Sequence, residues 1–326
     1  MSFNVSSKQP NKINNLLHSV PWHNGDVVTE MGSDLTLTYT DGQWLATDDP
    51  REMTISSKIA YAIKVQEPVS IPIGGTIIKD KDERTMDLNQ GWNAIGYTPV
   101  TNLTVETALS DYYDSAEPGD VIKSHTEFAY FTKTGNTGRW RGSLQYMKPG
   151  EGYMMLRKGD GKASFTYPYF GMDSNFREGW STSNNRVAIA AHRVPSTMTV
   201  SAVVEGFEME EGDVLVAYTN GEIVGQAYMT NEGNEANVLY LSIGGEKDAY
   251  VWFAIERDGE IIAATDEVMP FTANAVIGSP DEPTAISFVK AEYKNDKWYT
   301  IGGIQLQQKP KQKGIYIFNN KKVMIK

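Results

Sequence analysis

Few residues in this chain have types and spacings that could do chemistry, and each has a structural alternative. The histidines are His18, His23, His125 and His192. A catalytic serine needs one of them as a base and a metal needs two at ligand spacing, yet they sit in unrelated contexts with no nucleophile elbow. His18 and His23 are five apart, with the end of a predicted helix between them. Glycoside hydrolysis needs two carboxyl groups about 5–9 Å apart across a cleft, and Glu127, Glu151 and Asp120 are the candidates. Asp120 follows Gly119, however, where its side chain can accept from turn amides, as Asp26 can after Gly25. The run Glu205, Glu208, Glu210, Glu211, Asp213 offers oxygen ligands for a hard cation such as Ca²⁺. It lacks the Asp-x-Asp-x-Asp-Gly order, so it reads as a solvated loop face. No cysteine is present, which removes thiolate metal sites and thiol chemistry. The chain is therefore expected to be no enzyme, with no cofactor and no metal.

Binding chemistry is better represented. The chain holds 7 Trp and 17 Tyr, and flat rings on sheets make stacking platforms for sugars and other amphipathic ligands. Trp44 and Trp140 are the ligand-binding candidates. Their equivalent places in a repeat, described below, equally suit a shared core slot. The lysines Lys309, Lys311, Lys313, Lys321, Lys322 and Lys326 could meet an anionic surface, protect an edge strand, or dock on an acidic neighbour. A net charge of −11 over 326 residues makes nucleic acid an unexpected partner.

The elements that must position these residues are mostly strands. Two-residue turns flanked by alternating apolar residues are predicted at Asp41-Gly42, Asn220-Gly221, Asp258-Gly259 and Asn319-Asn320. Helical spacing is confined to Lys12 to Val20 and Thr104 to Tyr113. These two helices open a repeat: Gly25-Asp26-Val27-Val28 recurs as Gly119-Asp120-Val121-Ile122 at an offset of 94, Trp44 as Trp140 at 96, and Tyr61 as Tyr153 at 92. The second copy has a lead strand through Gly91-Trp92-Asn93-Ala94-Ile95-Gly96-Tyr97, whose counterpart falls at or before Met1. The first copy is accordingly expected to be truncated at its start. Beyond Gly171 the helix disappears. Residues 171–285 hold 5 basic and 19 acidic residues, whereas 286–326 hold 9 and 2. The expected organisation is mainly β. It comprises a first β-rich repeat over 1–78, a second over 79–170, each with a short helix, an antiparallel Ig-like β-sandwich over 171–285, and a small C-terminal β-module over 286–326. Gly278-Ser279-Pro280-Asp281-Glu282-Pro283 reads as a linker, and the tail, too short for its own core, is expected to dock through Trp298, Ile301, Tyr316 and Ile317.

Five stretches carry a resemblance. The Gly91–Tyr97 strand, Gly119-Asp120-Val121-Ile122-Lys123-Ser124 and Lys148-Pro149-Gly150-Glu151-Gly152-Tyr153 resemble a module of exported, multi-module surface and secreted proteins of Bacteroidetes. Trp298-Tyr299-Thr300-Ile301-Gly302-Gly303 with Gly314-Ile315-Tyr316-Ile317-Phe318 is similar to the C-terminal sorting domains of type IX secretion. The tail departs from these at Ile304-Gln305-Leu306, where many carry an Arg-containing stretch. The resemblance implies a secreted or cell-surface protein, attached at the outer membrane, that works as a non-enzymatic binding or adhesion segment for a glycan or protein ligand. The alternative is a set of accessory modules, carbohydrate-binding in character, from a secreted glycan-degrading enzyme.

Overall fold

Tight turns rich in asparagine, aspartate and glycine set the strand registers. The computed structural model describes residues 1–6, 12–33, 35–46, 53–169, 182–189, 196–230, 237–265, 267–288, 298–300, 305–306, 308–318 and 321–325. His192, the Asn319-Asn320 turn, Ile301 and Lys326 lie outside them. Asp41, Asn220 and Asp258 have φ of 49°, 49° and 52°, and the glycines that follow have 89°, 83° and 79°. Two successive left-handed residues match the right-handed twist of the flanking strands. The chain is mainly β, in several antiparallel sheets, and the helices among the described residues are short.

The two repeats share one strand order. In the first, Gln43–Ala46, Thr36–Thr40, Val27–Glu30 and Tyr61–Lys64 lie side by side. In the second, Thr137–Gly142, Phe128–Thr134, Val121–Lys123 and Tyr153–Arg157 follow the same order, and Gly91–Ile95 adds a fifth strand. The helices are shorter than their periodicity suggests, spanning Ile13–Leu16 and Val105–Ala108, the latter followed by a 3₁₀ turn over Ser110–Ser115. Each helix nonetheless places one side chain on the edge strand: Asn14 Oδ1 accepts from the Trp44 N–H at 2.8 Å, and Glu106 Oε1 from the Trp140 N–H at 2.6 Å.

A Gly-Asp corner starts the central strand of each copy. Asp26 accepts from the His23 N–H through Oδ2 (2.9 Å) and from the Gln66 N–H through Oδ1 (2.8 Å). Asp120 accepts from the Glu117 N–H (3.0 Å) and the Tyr112 hydroxyl (2.7 Å) through Oδ2, and from the Lys158 N–H (2.7 Å) through Oδ1. The tyrosines agree too: the Tyr61 hydroxyl accepts from the Ser56 N–H (2.8 Å) and the Tyr153 hydroxyl from the Lys148 N–H (2.7 Å). Met1 takes the place beside Tyr61 that Ile95 takes beside Tyr153, since Met1 and Tyr61 exchange backbone bonds of 2.8 Å.

The copies grip each other reciprocally. The Ser2 N–H donates to the Gly150 carbonyl (2.8 Å), and the equivalent Gly96 N–H donates to the Lys58 carbonyl (2.9 Å). A contact in which residue i meets j and j meets i marks two-fold packing, here inside one chain. Gly96 is required at this crossing, because a Cβ would lie 2.0 Å from the Ser57 carbonyl oxygen.

The sandwich departs from expectation at both ends. Thr182–Ile189 pairs with Val69–Ile77 of the first region rather than with the sandwich, whose first strand is Ser196–Glu205. The expected linker lies inside the module. It joins Val276–Ile277 to Thr284–Ser287, both of which run parallel to Ser196–Glu205, and Gly278 (φ 68°) crosses there because a Cβ would meet the Ser201 carbonyl at 2.4 Å. Ile286 and Phe288 are core residues, packed with Met198, Val200, Leu215, Phe253 and Ile255 between the two sheets. The second sheet runs Glu222–Tyr228, Val214–Thr219, Tyr250–Arg257, Glu260–Ala264. The tail pairs with itself: Gln305–Leu306, Trp298–Thr300, Gly314–Phe318 and Lys321–Ile325 form a four-stranded antiparallel sheet, with Trp298 and Tyr316 half-buried.

Replacing Asp120 with Asn turns an amide N–H donor towards backbone N–H groups and should cost about 1–3 kcal/mol of stability. Asp26→Asn should cost less, because Asp120 alone of the two also receives a tyrosine hydroxyl; urea midpoints of the two variants give the comparison. Gly96→Ala should lower the midpoint further, through backbone displacement at the repeat crossing.

Candidate functional site

Lys123 ends the strand Val121–Lys123 and is only 3 % exposed. Its Nζ donates to the Thr197 carbonyl (2.8 Å), to Thr197 Oγ1 (3.1 Å) and to Asn274 Oδ1 (2.9 Å), and lies 4.9 Å from the centre of the Trp92 ring. Three acceptors match the three N–H bonds of an ammonium, and the ring face adds a cation–π contact. None of these partners carries a charge, and burial pushes the amine down to about 8. A cavity of about 270 Å³ adjoins it, lined from the first repeat by Met1 and Ile63, from the second by Lys123 and Met154, and from the sandwich by Thr197 and Asn274. Lys123 thus couples the second repeat to the sandwich. Ser242 Oγ donates to the His125 carbonyl (3.0 Å) and Arg141 pairs with Asp281 (2.6 Å) at the same junction.

Beside this junction lies an open groove of about 700 Å³, within the range of ligand pockets. One wall is the loop His125–Glu127 with Ser143 and Lys148; the other is the strand Glu222–Tyr228 with Tyr240, Ser242 and Gly244. Gly225 lets the walls of the sandwich meet, since a Cβ there would be 2.8 Å from the Ser242 carbonyl oxygen. Tyr228 is 56 % exposed, and the Gln226 amide donates to its hydroxyl at 3.2 Å. Tyr240 stands edge-on to Phe128 at 5.8 Å. Burial raises the Glu127 carboxyl above its ordinary value, Lys148 at 3.8 Å opposes the rise, and Glu151 adds to it. The Ser143 hydroxyl is engaged with the Phe128 backbone and that of Ser242 with the His125 carbonyl.

The aromatic candidates from the sequence are elsewhere. Trp44 is 4 % exposed, packed edge-on against Trp22 at 5.0 Å and Tyr39 at 5.3 Å. This corrects its assignment as a stacking platform: the ring fills the core of the first repeat. Trp140 is half-buried on Phe131 at 5.2 Å and lines neither cavity nor groove. Of the three carboxylates, Glu127 lines the groove, Glu151 accepts from the Tyr153 hydroxyl (2.8 Å), and Asp120 is held at its corner. His125 lines both spaces, while His18 and His23 are exposed, the former bonded to the Asn15 carbonyl at 2.6 Å. The acidic run is organised by a side chain: Arg257 donates to Asp213 through Nε (2.7 Å) and Nη2 (2.8 Å) and reaches Glu210 at 3.0 Å. That guanidinium holds the Asp213 carboxyl below the usual range. Lys309 lies 5.8 Å from the Trp298 ring within the tail. Tyr228 and Gln226 were accessible to strand alternation after the Asn220-Gly221 turn; Lys123 was not, because nothing local marks a lysine that another module covers.

No protein-family model and no curated protein matches the chain.

The Lys123 environment sets a pH dependence. Its folded value near 8 lies below the ordinary 10.5, so between those values the unfolded chain binds more protons and stability rises with pH. Lys123→Met removes that titration. The wild-type stability relative to this variant should therefore increase from pH 8 to 10.5, read as paired urea midpoints; buried tyrosines that titrate in the same range cancel in the difference.

Proposed function

We propose that the chain is a non-enzymatic binding or adhesion segment of an exported, surface-attached or secreted protein, with its ligand held between the second repeat and the sandwich. The observation that carries this reading is the groove itself. It is a composite of two modules joined across their junction by the buried Lys123 ammonium, by the Ser242 hydroxyl on the His125 carbonyl and by the Arg141–Asp281 pair, and such a surface has a defined shape before any ligand arrives. Preorganisation lowers the entropic cost of association. The groove's serine hydroxyls, Ser143 and Ser242, serve backbone groups, which supports recognition over nucleophilic catalysis by either. The Bacteroidetes resemblance of the Gly91–Tyr97, Gly119–Ser124 and tail segments supports export. The second reading, accessory modules of a secreted glycan-degrading enzyme, is favoured by Tyr228 and Tyr240 on the groove walls.

Thr126 is exposed at the groove, with its backbone N–H on Ser124 Oγ and its side chain outside the core. Thr126→Trp should fill the groove and reduce capture on glycan and protein arrays at least about tenfold, without lowering the urea midpoint. Hydrolysis of a polysaccharide or peptide by the purified chain, lost on Glu127→Gln, would sink the non-enzymatic reading.

A further inference from the structure

We infer that the groove binds a neutral oligosaccharide, with the Tyr228 ring as its stacking surface; this rests on the reading of the groove as the binding site. A sugar ring presents an apolar C–H face and a rim of hydroxyls that each donate and accept. The groove offers the complement: an exposed aromatic ring, an amide at Gln226 beside it, and the carboxylates of Glu127 and Glu222 as acceptors for hydroxyl donors. Charge narrows the class. The lysine lining the groove is Lys148, which already lies 3.8 Å from Glu127, and the strand wall belongs to a segment with 5 basic and 19 acidic residues. A uronic acid or sulfated sugar would meet the Glu222 carboxylate and an acidic strand wall, whereas a neutral sugar meets none of that repulsion.

A peptide adding to the edge strand Glu222–Tyr228 is the competing occupant, and the geometry disfavours it. The register of that strand shifts at Ala217/Tyr218, where Ala217 faces Gly225 and Tyr218 faces Ile223, leaving Val224 as an extra residue. A bulge interrupts the even run of donors and acceptors that strand addition needs. At Gly225 the edge is also approached closely by the Ser242 carbonyl.

Isothermal titration of the full chain against gluco-, xylo- and manno-hexasaccharides and hexagalacturonate tests the inference. At least one neutral hexasaccharide should bind, with the uronate at least about tenfold weaker at low salt. Tyr228→Ala should weaken binding about tenfold, equivalent to about 1.4 kcal/mol. Tyr228→Trp should preserve it, and Tyr250→Ala, an exposed tyrosine that does not line the groove, should leave it unchanged. The inference is overturned if no neutral hexasaccharide binds, if Tyr228→Ala has no effect, or if a peptide competes with unaltered affinity for that variant. Should Thr126→Trp still abolish capture of a non-glycan array ligand, the glycan assignment alone falls. If Thr126→Trp affects no ligand, the groove reading falls with it.

Discussion

An aspartate buried behind a glycine is the constraint on which the rest of the molecule depends. Asp26, Asp120 and Asp213 are 1 %, 0 % and 1 % exposed. Removing a carboxylate from water costs several kcal/mol unless its oxygens are matched by donors, so the chain around each must turn its N–H groups inward. Those N–H groups come from the residue three before and, in the repeats, from the end of a strand some forty residues on: Gln66 for Asp26 and Lys158 for Asp120. The corner therefore fixes two distant segments at once. It also fixes the next strand, because the Asp26, Asp120 and Asp213 carbonyls accept from Tyr39, Phe131 and Met229 at 2.8 Å each.

The sandwich uses the same corner with a different donor. Where the repeats supply a backbone amide to Oδ1, Arg257 supplies its guanidinium, bidentate to Asp213. A side chain can reach from a strand that the backbone itself does not bring close, which lets one corner serve two strand arrangements. The same side chain gathers the acidic loop around Glu210, so a positive charge belonging to the chain itself holds Glu210 and Asp213 together. Such a bidentate pair is geometrically more specific than a lysine contact would be.

Between modules, polar contacts accompany apolar ones such as Phe128 on Tyr240, and between the two repeats they are reciprocal. Ser2 and Gly96 exchange equivalent bonds across the two repeats, and Lys123 enters the sandwich without a carboxylate. A buried ammonium tolerates little displacement, since any lost acceptor leaves a buried N–H without its protein partner. The groove inherits that rigidity, because the loop His125–Glu127 follows directly on Lys123.

The sequence by itself determined what repeats along one strand or turn. Asp41-Gly42, Asn220-Gly221 and Asp258-Gly259 each imply a hairpin because their conformational freedom is local, and the spacing of Gly25-Asp26, Trp44 and Tyr61 against Gly119-Asp120, Trp140 and Tyr153 exposes the duplication without reference to packing. The equivalence of Trp44 and Trp140 also pointed to the core, where Trp44 lies, over the platform. The tertiary structure alone decided which segments adjoin. It drew Thr182–Ile189 to Val69–Ile77, folded Gly278–Pro283 into the sandwich rather than out of it, and made a short tail self-pairing. It also created the groove, whose walls lie about a hundred residues apart in the chain. Alternation says that a side chain such as Tyr228 leaves a sheet, but burial is a property of what covers the sheet, and that cover at Lys123 or at Trp44 comes from residues no local pattern connects to them.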